Sequence, residues 1–422
     1  MDKQNNTIVT DADLRAAFVG EIAQTSEQNQ VTKKNQSKKN KKWLGLSIIG
    51  GICFVAGLAC LLVALLGVKN EQVALNFPKI PSKENSETSY SKLTGEPLAN
   101  AELVNAPVYC VQTPNGTDGA RPQAGLNEAG VVFEAIAESG ITRFAAIYQN
   151  PSTAIIGPIR SLRIYYLEWD TPFDCTIVHA GGSGDALTAV SNGYKNLDEN
   201  YTYMYRGTTG TRLWNNLFTT STYLKQFSAD NGYNTSDIKG FARMTPAESE
   251  KQRADESVDE KLDITRPTTK NTSEISVPVA NIALNLGGWA DFNINYNYNA
   301  ESNTYLRSYA SGAAHEIYTC AAEDLGERNP EEVCNLTQMA PSVVVAMMVE
   351  ESKASDNYHE DITAIGSGKA YVFQNGTAKI GTWQKTSAAD QIKFTDSDGE
   401  EIKSAPGQTF ITAVPNYGSV EY

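Results

Sequence analysis

Two arginines stand three residues apart in the segment Gly157-Pro158-Ile159-Arg160-Ser161-Leu162-Arg163. That spacing lets Arg160 and Arg163 share one face of a helix whose start Ser161 would cap, and two guanidinia beside a hydroxyl are the chemistry of an anion pocket. Downstream, the apolar run 175–178 delivers His179 to the glycine loop Gly181-Gly182-Ser183-Gly184, with Asp185 beyond it. A side chain emerging from a strand end at such a loop is placed to meet a ligand, although the same position suits a hydrogen-bonded, packed histidine. Glu134 and Glu138, with Arg143 across a presumed hairpin, read as a charged rim, for which solvated ion pairs are the plainer account. Arg121 lies in GARPQAGL, and Arg307, His315 and Glu316 lie in TYLRSYASGAAHEIY, where they are placed to cover or orient the first pocket. The ligand-binding candidates are therefore Arg121, Glu134, Arg143, Arg160, Ser161, Arg163, His179, Arg307 and His315, with His179 the candidate catalytic residue.

Several chemistries are excluded. The GGSG loop has neither the GxxxxGK[ST] arrangement that cradles phosphates nor GxGxxG spacing, and Ser183 has no GxSxG elbow. With three histidines and six cysteines in 422 residues, a multi-histidine metal centre is not expected, and no metal or other cofactor is called for. The 35 basic against 49 acidic residues give a net charge of -14, which argues against a nucleic-acid partner, because phosphate contacts need a concentrated basic surface.

The elements that must position these residues begin behind an apolar run. Residues 43–68 carry no charge over 26 positions, and about 20 helical residues cross a hydrocarbon core. Six lysines directly precede the run, which predicts a single-pass helix in the cytoplasmic membrane with the N-terminus cytoplasmic and the remaining domains extracytoplasmic. Gly57-Leu58-Ala59-Cys60 only partly matches a lipidation box. The expected order is a mostly disordered cytoplasmic tail over 1–42, the transmembrane helix over 43–68, and a polar stalk over 69–104. An N-terminal α+β domain over 105–243, a linker over 244–274 and a β-rich domain over 275–422 follow. In the first domain 131–137 and 141–148 form a hairpin about ESG, 161–169 a short helix, 175–178 a strand and 185–190 a second helix. In the second, Asn375-Gly376 is a hairpin turn, because both residues tolerate positive φ. The fold class is α+β: two exterior domains, the first mixed and the second predominantly antiparallel, behind one transmembrane helix.

Four cysteines lie beyond the apolar run, Cys110, Cys175, Cys320 and Cys334, and four allow three pairings. Cys320 and Cys334 bracket a short acidic loop whose closure would remove about 3 kcal/mol of unfolded-state entropy, which leaves Cys110–Cys175 as the complementary bridge. Reduced, buried cysteines are the alternative.

The segments ARPQAGLNEAGVVFEAIAESGITRFAAIY, IGPIRSLR and VHAGGS resemble the N-terminal domain of the YerB-like bacterial envelope proteins, a family of unknown function. YLRSYASGAAHEIYT, GSGKAYVFQNGTAKIGTW and GQTFITAVP resemble its C-terminal domain. The resemblance covers most of residues 105–418 and implies a two-domain bacterial envelope protein, in that family often attached through a lipidated cysteine. It assigns no reaction. Together with the arginine cluster it leads to a membrane-anchored binding or scaffold protein for an anionic or polar component of the envelope, such as a cell-wall glycan. The competing class is an envelope hydrolase or transferase using His179 and the Arg160/Arg163 cluster. No oligomeric state follows from the sequence.

Overall fold

Three strands are buried along their whole length on both faces or nearly so: Val131–Ile136, Val343–Val349 and Thr409–Pro415. A strand apolar on both faces needs neighbours on both sides and layers above and below it. In a computed structural model, which describes residues 88–208, 214–258, 277–320 and 326–422, these three meet that need by pairing with one another. Thr409–Pro415 lies parallel to Val343–Val349 on one side and parallel to Val131–Ile136 on the other. The result is an eleven-stranded mixed sheet among the described residues. Its strands run in the order Lys393–Thr395, Thr377–Lys385, Gly366–Gln374, Val343–Val349, Thr409–Pro415, Val131–Ile136, Thr142–Gln149, Val108–Pro114, Thr176–Val178 and Asn196–Leu197, with Val277–Pro278 pairing on Thr377–Lys385.

Alternation along Val131–Ile136 sends Val131, Phe133 and Ala135 to one face, where the helix Ile164–Asp170 packs Tyr165, Tyr166 and Trp169 against them. The rings of Phe133 and Trp169 stack with centroids 5.3 Å apart. On the other face Val132 and Ile136 enter separate apolar clusters. The second of these is shared with a four-stranded sheet ordered Thr304–Tyr309, Ile294–Asn299, Asn281–Asn285 and Ser419–Glu421. Glu134 lies on this same face, under the second sheet.

Both expected hairpin turns form. Ser139 and Gly140 have φ of 54° and 76°, and Asn375 and Gly376 have φ of 53° and 77°, the signature of two-residue type I′ turns. Cys110 is bonded to Cys175 and Cys320 to Cys334. The first bridge spans a sequence separation of 65, and its loop removes about 4 kcal/mol of unfolded-chain entropy.

The fold class expected from the sequence needs correction. Among the described residues no helix is long and apolar enough to cross a membrane. The 13-residue helix Pro246–Val258 is short of the roughly 20 a bilayer needs and is dominated by polar side chains. The apolar run 43–68 and the tail 1–42 lie outside the described residues. The fold is α+β with mixed and antiparallel sheets, and the single-pass placement with a cytoplasmic N-terminus is withdrawn. The described residues from 88 to 422 belong to one compact unit, in which the all-buried strands of each half complete the other's sheet.

Two connecting segments carry more structure than expected. The part of the stalk that is described turns back on itself, Tyr90 bridging to Pro97, and buries Leu93 in the core. The start of the linker is the helix Pro246–Val258, opened by a capping box. Thr245 Oγ1 accepts from the Glu248 amide at 3.2 Å, while the Glu248 carboxylate accepts from the Thr245 amide at 2.7 Å.

Candidate functional site

The nine candidate residues divide into three groups. The first is buried between the two sheets. Tyr305, Arg307 and Tyr309 alternate inward along Thr304–Tyr309, so Arg307 faces Glu134, and neither side chain has any exposed surface. Arg307 Nη2 donates to both Glu134 oxygens at 3.0 and 2.8 Å. Glu134 also accepts from Thr142 Oγ1 at 3.0 Å, Asn115 Nδ2 at 3.4 Å and Thr412 Oγ1 at 3.4 Å. Arg307 Nε donates to the Tyr296 hydroxyl, and its Nη1 donates to His315 Nδ1. Because arginine only donates, Nδ1 is the unprotonated nitrogen, and Nε2–H donates to Gln123 Oε1 at 3.0 Å. Burial first, then the Arg307 and Arg121 charges, hold the His315 pKa well below the ordinary histidine value. Arg121 closes this group from outside. Its guanidinium lies 3.8 Å from the centre of the Tyr309 ring, and its Nε donates to Asn115 Oδ1 at 2.9 Å. Each charge in this group has partners inside the protein, the arrangement of a satisfied polar network in a structural core.

His179 stands apart. It is fully buried, Nδ1 lies 2.8 Å from the Gly181 carbonyl and Nε2 lies 2.8 Å from Asn196 Oδ1. Both ring nitrogens are engaged by the protein, so the ring fastens the glycine loop to the neighbouring strand Asn196–Leu197.

The third group gathers around the turn Glu138–Ile141, with Glu138 and Arg163 buried and Arg143, Arg160 and Ser161 partly exposed. Glu138 accepts from Arg143 Nη2 at 2.7 Å through one oxygen and from Arg163 Nε and Nη2 through the other. Arg143 Nη1 also donates to the Ser161 carbonyl at 3.1 Å. Arg160 and Arg163 do not share a helical face, because the helix begins at Ile164 with Arg163 as its extended N-cap residue. The segment before it is held instead in a strand-like path, Leu162 bridging to Gly182. Ser161 therefore caps nothing and contributes its carbonyl. Arg163 and Arg143 are committed to Glu138. Arg160 is not: it is partly exposed, its Nη1 donates to the Trp214 carbonyl at 3.1 Å, and no carboxylate among the described residues forms an ion pair with it. Burial first, then the charges of Arg143 and Arg206, push its pKa down, with Asp118 and the Tyr358 phenol opposing them.

The segment facing this group was absent from the candidate set. His359 approaches Glu138 Oε1 with Nε2 at 3.7 Å and bonds Asp356 Oδ2 through Nδ1 at 2.5 Å. The Tyr358 ring beside it is 60% exposed. Asp356 and His359 are three apart in DNYHE, a spacing that pairs side chains locally, but nothing in that segment points to Glu138. Trp214, also missed, is 70% exposed. Among the described residues no group of three or more histidine, cysteine, aspartate or glutamate side chains could hold a metal ion.

A two-unit family pattern runs through this arrangement. Residues 93–234 match the N-terminal domain of a family described as protein of unknown function (DUF3048), and residues 286–411 match its C-terminal domain. The chain belongs to that family, as the resemblance of its motifs implied. It is 27% identical over 308 residues to the candidate lipoprotein YerB of Bacillus subtilis (strain 168), covering 72% of this chain and 80% of that protein. The crystal structure of YerB from Bacillus subtilis has the same fold, with a TM-score of 0.58 at 21% identity over 79% of this chain and 100% of that one.

Proposed function

We propose that this protein is an extracytoplasmic binding module whose ligand presents an anionic group to Arg160. The observation that carries the reading is the contrast at the Glu138 turn. Arg143 and Arg163 are both ion-paired with Glu138, while Arg160 is partly exposed, with a single backbone carbonyl as its described acceptor. A guanidinium held there with no ion pair among the described residues, Asp118 acting on it only at a distance, gains from an incoming carboxylate or phosphate, which its donor fork fits. Two disulfides support an oxidising compartment, and the description of YerB as a candidate lipoprotein agrees with an envelope setting. His179, buried with both nitrogens engaged, gives the hydrolase or transferase reading no support. The test is sedimentation of the full chain with purified Bacillus subtilis cell walls, before and after chemical removal of their anionic polymers. Binding should be lost with those polymers and with Arg160→Gln; walls bound equally well by that variant would defeat the reading.

A further inference from the structure

Exposed aromatic side chains gather beside Arg160. The short antiparallel ladder Tyr205–Arg206 with Leu217–Phe218 carries Arg206 next to the Arg160 field. Arg206 Nε donates to the Tyr201 hydroxyl at 2.8 Å, its Nη1 to Asn216 Oδ1 at 2.8 Å, and its Nη2 pairs with Glu199 at 2.5 Å. Tyr201 is 59% exposed, and Trp214, whose carbonyl receives Arg160, is 70% exposed. Tyr358, 60% exposed, precedes His359, whose Nε2 lies 3.7 Å from Glu138 Oε1, the oxygen that Arg163 holds. Of the nearby carboxylates, Glu138 is ion-paired with Arg143 and Arg163 and Glu199 with Arg206, while Asp118 accepts from Asn215 Nδ2 at 3.1 Å and acts on Arg160 only at a distance. Arg160 is thus the arginine of this surface with no ion pair among the described residues.

Single exposed aromatics are ordinary. Three of them on segments linked by contacts to a guanidinium that has no ion pair among the described residues are a different arrangement. An aromatic face is apolar and carries negative quadrupole density, so it covers a surface of polarised C–H groups, and the face of a pyranose ring is such a surface. A folded polypeptide or lipid headgroup has no such repeating flat face beside its charge. We infer, resting on the reading above, that the ligand is an anionic polysaccharide. Trp214 and Tyr201, with Tyr358 on the segment that faces Glu138, provide the surfaces on which its sugar rings lie, and Arg160 takes a carboxylate or phosphate carried by the repeat.

Calorimetric titration of the full chain with sodium polygalacturonate, neutral dextran and sodium polyglutamate at matched ionic strength tests this. Polygalacturonate should bind, and both Trp214→Ala and Arg160→Gln should weaken it at least tenfold. Polyglutamate, which has the charge without the sugar, should bind more weakly and be indifferent to Trp214→Ala. Trp214 is mostly exposed, so the tryptophan variant keeps its fold, and its unchanged thermal midpoint is the control. Equal binding of polyglutamate, or polygalacturonate binding untouched by Trp214→Ala, overturns the glycan assignment and leaves an anion site. Binding of neither polyanion overturns both inferences. Dextran bound as tightly as polygalacturonate removes the role of Arg160.

Discussion

Two clusters built from the same residue types meet opposite fates in this protein. Glu134, Arg307 and His315 lie between two sheets with no exposed surface, and each polar atom described there is bonded to another. Glu138, Arg143, Arg163 and Arg160 lie at a hairpin turn, where three arginines meet one carboxylate and the last is left partly exposed with a backbone carbonyl. Glu134 and Glu138 are only four residues apart. The first falls on the inward-facing phase of a strand and must be neutralised, since an unpaired buried charge costs several kcal/mol. The second falls just past the strand end, where Arg143 and Arg163 hold it in a mostly buried ion pair and a third arginine close by, Arg160, stays partly exposed. A complete network reads as architecture, and an arginine left without an ion pair beside one reads as a place for something else.

Substitutions should separate the two regions by size of effect. Arg307→Met, which leaves Glu134 buried and alone, should cost about 3–5 kcal/mol in urea unfolding, and adding Glu134→Gln should recover much of it. A single-variant cost near zero would erase the distinction. His315→Phe, which strips Arg307 Nη1 and Gln123 of a partner, should cost about 2 kcal/mol.

The buried histidine also fixes a pH dependence. The folded His315 pKa lies well below its unfolded value of about 6.5. The unfolded chain therefore binds the extra proton, and stability falls as pH drops below about 6.5, by roughly 1.4 kcal/mol per unit. Arg307, Arg121, Glu134 and Gln123 are the groups facing the ring. Glu351 runs the other way: burial raises its carboxyl to about 7, so it costs stability as pH rises from about 4.5 toward 7. Subtracting the pH profile of His315→Gln from that of the wild type isolates the histidine contribution, and parallel profiles would show that the ring is not held neutral.

Smaller effects belong to the turn. Glu138→Gln removes the negative charge shared by Arg143 and Arg163 and one of the two acceptor oxygens, and should lower stability by about 1.5 kcal/mol, while increasing the local positive charge and so strengthening polygalacturonate binding. Arg160→Gln should change unfolding by less than about 0.5 kcal/mol while removing that binding. A large stability loss in Arg160→Gln would place this arginine with Arg307 as part of the framework.

Sequence alone determined the local features. Ser139-Gly140 and Asn375-Gly376 mark type I′ turns because few residues accept positive φ, and the strands on either side follow from apolar runs of the right length. Arg160 and Arg163 were legible as charge close to a glycine loop and Arg143 as a charge across the hairpin from Glu138, with which it pairs, and Thr245 and Glu248 carried a capping-box signal that the surrounding charge obscured. What only tertiary structure decided was partnership. Nothing in VVFEAI says that its neighbour is TFITAV, nearly three hundred residues on, and the alternation that turns Glu134 inward does not name Arg307. Local sequence fixes which face a side chain takes, because the strand repeat is two residues. Which charge waits on the opposite face is set by how two sheets stack, and that depends on every strand at once.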